Sequence, residues 1–193
     1  MKKLLTLICV VFCSILLPAQ TVNLIGIETK NTSLVFTVDN HQKLLQSYLG
    51  EKLAQKDYST LHGGREAYLT AGMENQFDPA IRMVHADGNP SLELQYVSYK
   101  TEKKDDITNM DVLLKDPAYP VEVTLHYTAY YDEDVIKSWT EIKHHEKKPV
   151  LLTQYASSQL HFNADEYWLT QFHGDWAREM NMVEEKLTNG INC

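Results

Sequence analysis

Apolar and polar residues alternate along most of this chain. Val121, Val123, Leu125 and Tyr127 fall on one side of the alternation, and Glu122, Thr124, His126 and Thr128 on the other. A period of two puts these sets on opposite faces of a half-buried strand. Tyr130-Tyr131-Asp132-Glu133-Asp134 then turns the chain, and Ile136, Ser138, Thr140 and Ile142 begin the return strand. Pro149 opens "VLLTQYASSQLHF", which reads as the third strand of that series. Upstream, Leu92, Leu94 and Tyr96 alternate with polar neighbours. "NLIGIETKNTSLVFTVDN" gives two β-rich runs parted by the turn Lys30-Asn31-Thr32, and "HQKLLQSYLGEKL" reads as a strand with a bend. No long amphipathic helix precedes Trp176, and a short helical or irregular segment is expected near the C-terminus. The predicted class is all-β. Strands joined by short polar turns form an antiparallel meander, and two such sheets packed face to face make a β-sandwich.

The N-terminus departs from this alternation. "MKKLLTLICVVFCSILLPAQ" carries Lys2 and Lys3, an apolar run from Leu4 to Leu17 broken only by Thr6 and Ser14, and then Pro18-Ala19-Gln20. That is the three-part pattern of a secretory signal peptide, too short in its apolar core to span a bilayer comfortably. Residues 1–20 are therefore expected to be removed on export, placing residues 21–193 in the periplasm or outside the cell. Cys13 raises a lipoprotein reading, but acylation needs small residues before the cysteine, and Phe12 stands there.

Export changes the charge and the cysteine count. Cys9 and Cys13 leave with the leader, so Cys193 remains and no internal disulfide framework is available. Stability must come from a core, and the mature length suits one ordinary domain. Losing two lysines takes the formal net charge from -8 to -10. Such an acidic surface opposes nucleic acid and anionic membranes, because no basic stripe releases counterions.

Candidate chemistry is sparse. Asp87-Gly88-Asn89-Pro90 reads as a turn before a strand, and His85 with Asp87 does not complete a metal sphere. His144 and His145 are adjacent, so on a strand they point to opposite faces. Asp132, Glu133 and Asp134 lack a calcium-loop ladder. His62-Gly63-Gly64-Arg65-Glu66 lacks the lysine and strand–loop–helix setting of a phosphate cradle, and Ser157-Ser158 lacks a nucleophile elbow. Residue patterns alone give an exported acidic β domain with no catalytic set, no metal site and no cofactor. That describes a binding or structural module.

Four stretches together carry a family resemblance: "PAIRMVHADG" (Pro79–Gly88), "VTLHYTAYYDEDVIKSWTEIKH" (Val123–His144), "YASSQLHF" (Tyr155–Phe162) and "LTQFHGDWAREMNMVEEKLTNGI" (Leu169–Ile191). In this order they resemble the N-terminal domain of glycoside hydrolase family 36 α-galactosidases, over roughly Asn23 to Ile191. The family's Gly-Asp-Trp-x-x-Glu segment stands here as Gly174, Asp175, Trp176, Arg178 and Glu179. The resemblance implies a large β-sandwich of the supersandwich kind, set before a catalytic (β/α)8 barrel that carries two aspartates of a retaining mechanism. That barrel is the implied partner, α-galactosides the implied substrates, and a homo-oligomer the implied assembly. Since the family's sequence normally continues past this point, the chain is expected to be an N-terminal fragment or truncated product, silent alone. Trp176 reads as a packing residue between sandwich and barrel, with Arg178 and Glu179 in a polar network; the alternative is a ring stacked on a sugar. Trp139 and Trp168 read as core or sheet-face residues. The family's loop arginine, which follows a Gly-Asp-Phe stretch, has no counterpart beside Phe77, Pro79 and Ala80. A free-standing carbohydrate-binding or accessory module is the alternative to the whole reading.

Overall fold

The computed structural model describes residues 24–72 and 77–188. The expected leader, both of its cysteines and Cys193 lie outside those residues. The strands are β1 (Leu24–Glu28), β2 (Thr32–Val38), β3 (Leu44–Glu51), β4 (Arg65–Glu66), β5 (Ile81–Val84) and β6 (Gln95–Lys104). They continue with β7 (Ile107–Lys115), β8 (Val121–Tyr130), β9 (Val135–His144), β10 (Leu151–Tyr155), β11 (Trp168–Asp175) and β12 (Arg178–Lys186). A 3-10 turn covers Gln55–Thr60. The predicted all-β class is what forms.

Two four-stranded sheets, β1-β2-β3-β4 and β6-β7-β8-β9, carry most of the structure. Their strands pair antiparallel in sequence order, as a meander does. Along β8 every second residue is buried, so Val121, Val123, Leu125, Tyr127 and Ala129 face inward. Ile25, Ile27, Leu34 and Phe36 from the first sheet join them in one cluster with Met110, Val112 and Leu114 of β7. Phe36 and Tyr127 meet across the two layers, ring centroids 5.3 Å apart and tilted by 44°. Burying each large side chain of this kind favours folding by roughly 1.5–3 kcal/mol, so this interface dominates the packing.

The bend expected in "HQKLLQSYLGEKL" is a bulge. Tyr48 pairs with Val35 and Gln46 with Phe36, leaving Ser47 as the extra residue. Its hydroxyl lies 2.7 Å from that of Thr37 and donates to the Gly63 carbonyl at 2.5 Å.

Loop contacts fasten the layers at one end. The Asp134 carboxylate accepts from the Thr29 hydroxyl, from the Asn31 backbone and side-chain amides at 3.2 Å each, and from the Thr32 hydroxyl at 3.2 Å. These bonds, that of Thr29 first, hold its carboxyl below the usual range. The β1–β2 turn is thereby tied to the β8–β9 turn, and Lys30 N–H donates to the Tyr131 carbonyl beside it at 3.1 Å.

Two sequence expectations need correction. The strand after Pro149 does not extend the meander beyond β9. As β10 it pairs with β5, with Leu151 opposite Val84 and Tyr155 opposite Ile81. The buried Ile81 and Met83 supply a long-range partner that local alternation cannot identify. The segment after Trp176 is not helical either. Arg178–Lys186 is a strand, paired with the one before it and bulged at Glu179–Met180.

Candidate functional site

The residues singled out from the sequence gather at the tip of the β11–β12 hairpin. Asp175 pairs with Arg178, leaving Trp176 and Ala177 as the turn, and between this pair and His173–Asn181 the residues Glu179 and Met180 together oppose Gly174, a bulge in β12. Ala177 at φ 64° and Met180 at φ 60° adopt left-handed backbone, the first in the turn and the second in the bulge. Trp176 N–H donates to the Asp175 carboxylate at 2.7 Å, and Asn181 Nδ2 donates to the Arg178 carbonyl at 3.1 Å. The structure thus brings Gly174, Asp175, Trp176, Arg178 and Glu179 into one turn. Among the described residues, neither Arg178 nor Glu179 forms an ion pair. The polar network expected around the tryptophan is not assembled from this chain's described residues.

The indole of Trp176 is 93% exposed. Register places Trp168, Phe172 and Met182 on one face of the hairpin, while Leu169 and Val183 occupy the other. All five are exposed. Apolar residues on both faces are the pattern of a strand pair covered on both sides, and an isolated two-stranded hairpin is marginal in water. The hairpin has the composition of an interior element and the setting of an exterior one. At its base, Tyr167 accepts the Leu187 N–H through its carbonyl at 2.9 Å and donates its hydroxyl to the Phe162 carbonyl at 2.6 Å.

The other candidates resolve into structural roles. The His85 ring is buried between three segments. Its Nδ1 lies 2.7 Å from Glu146, its Nε2 lies 2.9 Å from the Ser91 carbonyl, and it stacks on Tyr119 at 3.6 Å. Glu146 also accepts the Ala86 N–H at 2.8 Å, and the bond from His85 leads in holding its carboxyl below the usual range. This pin joins the β5–β6, β7–β8 and β9–β10 connections. Asp134 is a hub of the fold rather than part of a cation loop. Ser158 accepts from the Ser138 hydroxyl at 2.8 Å, and the Ser157 carbonyl accepts from Thr140 at 3.0 Å, which fixes that segment against β9. Among the described residues no group of three or more His, Cys, Asp or Glu is placed to hold a metal ion. Trp139 and Trp168 occupy sheet faces, 44% and 58% exposed, rather than the core.

Two features went unread in the sequence. Arg65 of β4 lays its guanidinium over the Phe77 ring, 4.2 Å from the centroid, although 12 positions separate the two residues. A cross-strand row also forms on the outer face of the second sheet. The repeating polar positions of β7 and β8 signalled that face, but only the register reveals which side chains meet across it.

Two packed antiparallel sheets with an exposed apolar hairpin define a β-sandwich domain. The comparisons specify it further. Residues 28–193 match the glycosyl hydrolase family 36 N-terminal domain, and the chain belongs to that family. It is 27% identical over 139 residues to α-galactosidase Mel36A of Lactobacillus acidophilus, covering 64% of this chain and 19% of that protein. It is 24% identical over 139 residues to α-galactosidase 2 of Pediococcus pentosaceus, covering 70% of this chain and 19% of that protein. In three dimensions it is similar to an AgaA α-galactosidase variant of Geobacillus stearothermophilus, solved with 1-deoxygalactonojirimycin, with a TM-score of 0.77 at 18% identity. That likeness covers 87% of this chain and 28% of the other. The Lactobacillus brevis α-galactosidase gives a TM-score of 0.73 at 20% identity, over 86% of this chain and 28% of that one. The chain therefore spans about a fifth of the length of these curated relatives.

Proposed function

We propose that this chain is the non-catalytic N-terminal scaffold of an exported α-galactosidase, and that its β11–β12 hairpin docks the barrel that performs the chemistry. The observation that carries this reading is the hairpin itself, apolar and exposed on both faces, within a domain whose family is named for its N-terminal position. In this arrangement Trp176 packs at the junction between sandwich and barrel. Asp175 fixes the turn, Gly174 faces the bulge in β12, and Arg178 and Glu179 meet polar partners on the barrel. The substrates of the assembled enzyme are terminal α-galactosides, a homo-oligomer is its assembled form, and residues 1–20 direct it out of the cytoplasm. No cofactor is required, because retaining glycoside hydrolysis runs on two carboxyl groups about 5–5.5 Å apart.

The test is an aryl α-galactoside assay on the purified chain. The expected result is no release of the aryl alcohol above the uncatalysed rate. Turnover that disappears on replacing a carboxylate of this chain, such as Asp175→Asn or Glu179→Gln, would overturn the proposal.

A further inference from the structure

We infer that the outer face of the β6–β9 sheet carries a carbohydrate platform centred on Trp139, which takes a neutral pyranoside unit. Lys100, Asp111, His126 and Trp139 stand directly opposite one another on four successive strands, forming one row across the sheet. Lys100 Nζ lies 3.0 Å from the Asp111 carboxylate, and His126 Nδ1 lies 2.6 Å from its other oxygen. The imidazole then stacks on the indole of Trp139 at 3.7 Å with the planes 11° apart. Each member orients the next, so the indole is held by a chain of contacts that begins on the far edge strand.

The row leaves the indole backed on one side and 44% exposed overall. A pyranose ring has an apolar C–H face and a rim of hydroxyls. The C–H face suits the electron-rich face of an indole, and the rim suits charged or polar groups one residue spacing away. Lys137 and Glu141 lie two positions to either side of Trp139 on the same face of β9, about 6.7 Å along the strand at the usual rise per residue. Glu141 is already paired with Lys143 at 2.7 Å. One ammonium and one paired carboxylate flanking the ring present both hydrogen-bond senses and little net charge. That fits a neutral sugar better than a phosphate or a carboxylate ligand. The Thr128 hydroxyl donates to Asn109 at 2.8 Å on the neighbouring row, so this part of the surface is ordered before a ligand arrives.

A second observation points the same way. His126 Nε2 is buried and without a hydrogen-bond partner among the described residues. An unsatisfied buried ring nitrogen is unfavourable, and an aliphatic residue would fill this place without it. The bond to Asp111 engages one ring nitrogen and the indole covers the ring face, so the imidazole serves to position Trp139.

The choice of a galactoside as first probe rests on the proposed function; the platform itself rests on the row. The chain has three tryptophans, so its indole N–H signals can be assigned by substitution and followed in a 1H–15N spectrum. Titration with methyl α-D-galactopyranoside, and separately with methyl α-D-glucopyranoside, should move the Trp139 signal saturably with a Kd on the order of millimolar. Trp139→Ala should weaken binding by about tenfold or more, Glu141→Ala should weaken it with the fold untouched, and Trp176→Ala should bind as the native chain does. The inference is overturned if neither sugar gives a saturable shift, if only Trp168 or Trp176 responds, or if a folded Trp139→Ala chain binds at native strength. Hydrolysis by this chain would sink the proposed function and leave the platform standing; absence of sugar binding would do the reverse.

Discussion

Replacing Phe36 by alanine strikes the contact that makes two sheets into one core. The ring is 1% exposed, and it meets the Tyr127 ring of the opposite sheet at 5.3 Å. Truncating a buried phenylalanine costs about 3–5 kcal/mol, since the neighbours relax only partly into the space left behind. Within that total, the ring pair contributes on the order of 0.5–1.5 kcal/mol beyond simple burial. A domain of this size is stable by roughly 5–15 kcal/mol, so the substitution removes a large fraction of the whole. Urea unfolding of the full chain measures it. With a slope of about 2 kcal/mol per molar, the midpoint should fall by roughly 1.5–2.5 M. Met180→Ala, at a position 72% exposed on the hairpin, serves as the control and should leave the midpoint nearly unchanged. A Phe36→Ala shift no larger than that control would refute the two-layer core. So would a Phe36/Tyr127 double-mutant cycle with no coupling energy.

Other perturbations follow from single contacts. Gly64 has φ 128°, and a Cβ there would lie 2.2 Å from the Gln46 carbonyl oxygen, so Gly64→Ala should cost about 2 kcal/mol or more by thermal unfolding. Gly63→Ala, at φ 71° with open space around it, should cost only about 1 kcal/mol. Asp134→Ala removes the acceptor of four donors and should lower the melting temperature while loosening the 29–32 turn, seen as faster exchange of the Asn31 amide. The Glu146 carboxyl sits below its usual range because His85 donates to it, so the stability it contributes is present above the ordinary carboxylate range and is lost as pH falls through the depressed value. Glu146→Gln should therefore destabilise the chain at neutral pH and flatten the acid limb of its stability profile; an unchanged limb would assign that limb to other carboxylates. The exposed apolar hairpin should make the chain self-associate, and Phe172→Glu with Met182→Lys should reduce this in light scattering by breaking one of its apolar faces.

Strand positions were legible wherever one face is buried and the other wet. Val121–Tyr130 is the clearest case, because burial there follows the alternation residue by residue. The turns at 30–32 and 131–134 were equally clear, since polar clusters interrupt the apolar period. Pairing was less legible. Nothing local in Leu151–Tyr155 names Ile81–Val84 as its partner, because cross-strand burial between distant segments carries no signal in either strand alone. Where a short helical or irregular segment is expected near the C-terminus, Arg178–Lys186 is a strand, for a related reason. Its apolar residues lie on both faces, which removes the period-two signature of a half-buried strand. The candidate residues come from the family's Gly-Asp-Trp segment, and they lie at the β11–β12 turn. The roles of Asp134, Glu146 and the Lys100-to-Trp139 row were hidden, because charged residues in polar surroundings read as solvated until the register shows which of them meet.

Hydrogen exchange on the native chain tests most directly whether a two-layered core supports a hairpin left open for another domain. Amides of β2, β7 and β8 should exchange slowest and together, through one cooperative opening, while those of β11 and β12 exchange through a far less costly local one. Protection of β11–β12 equal to that of β8, or separate openings for β2 and β8, would contradict it.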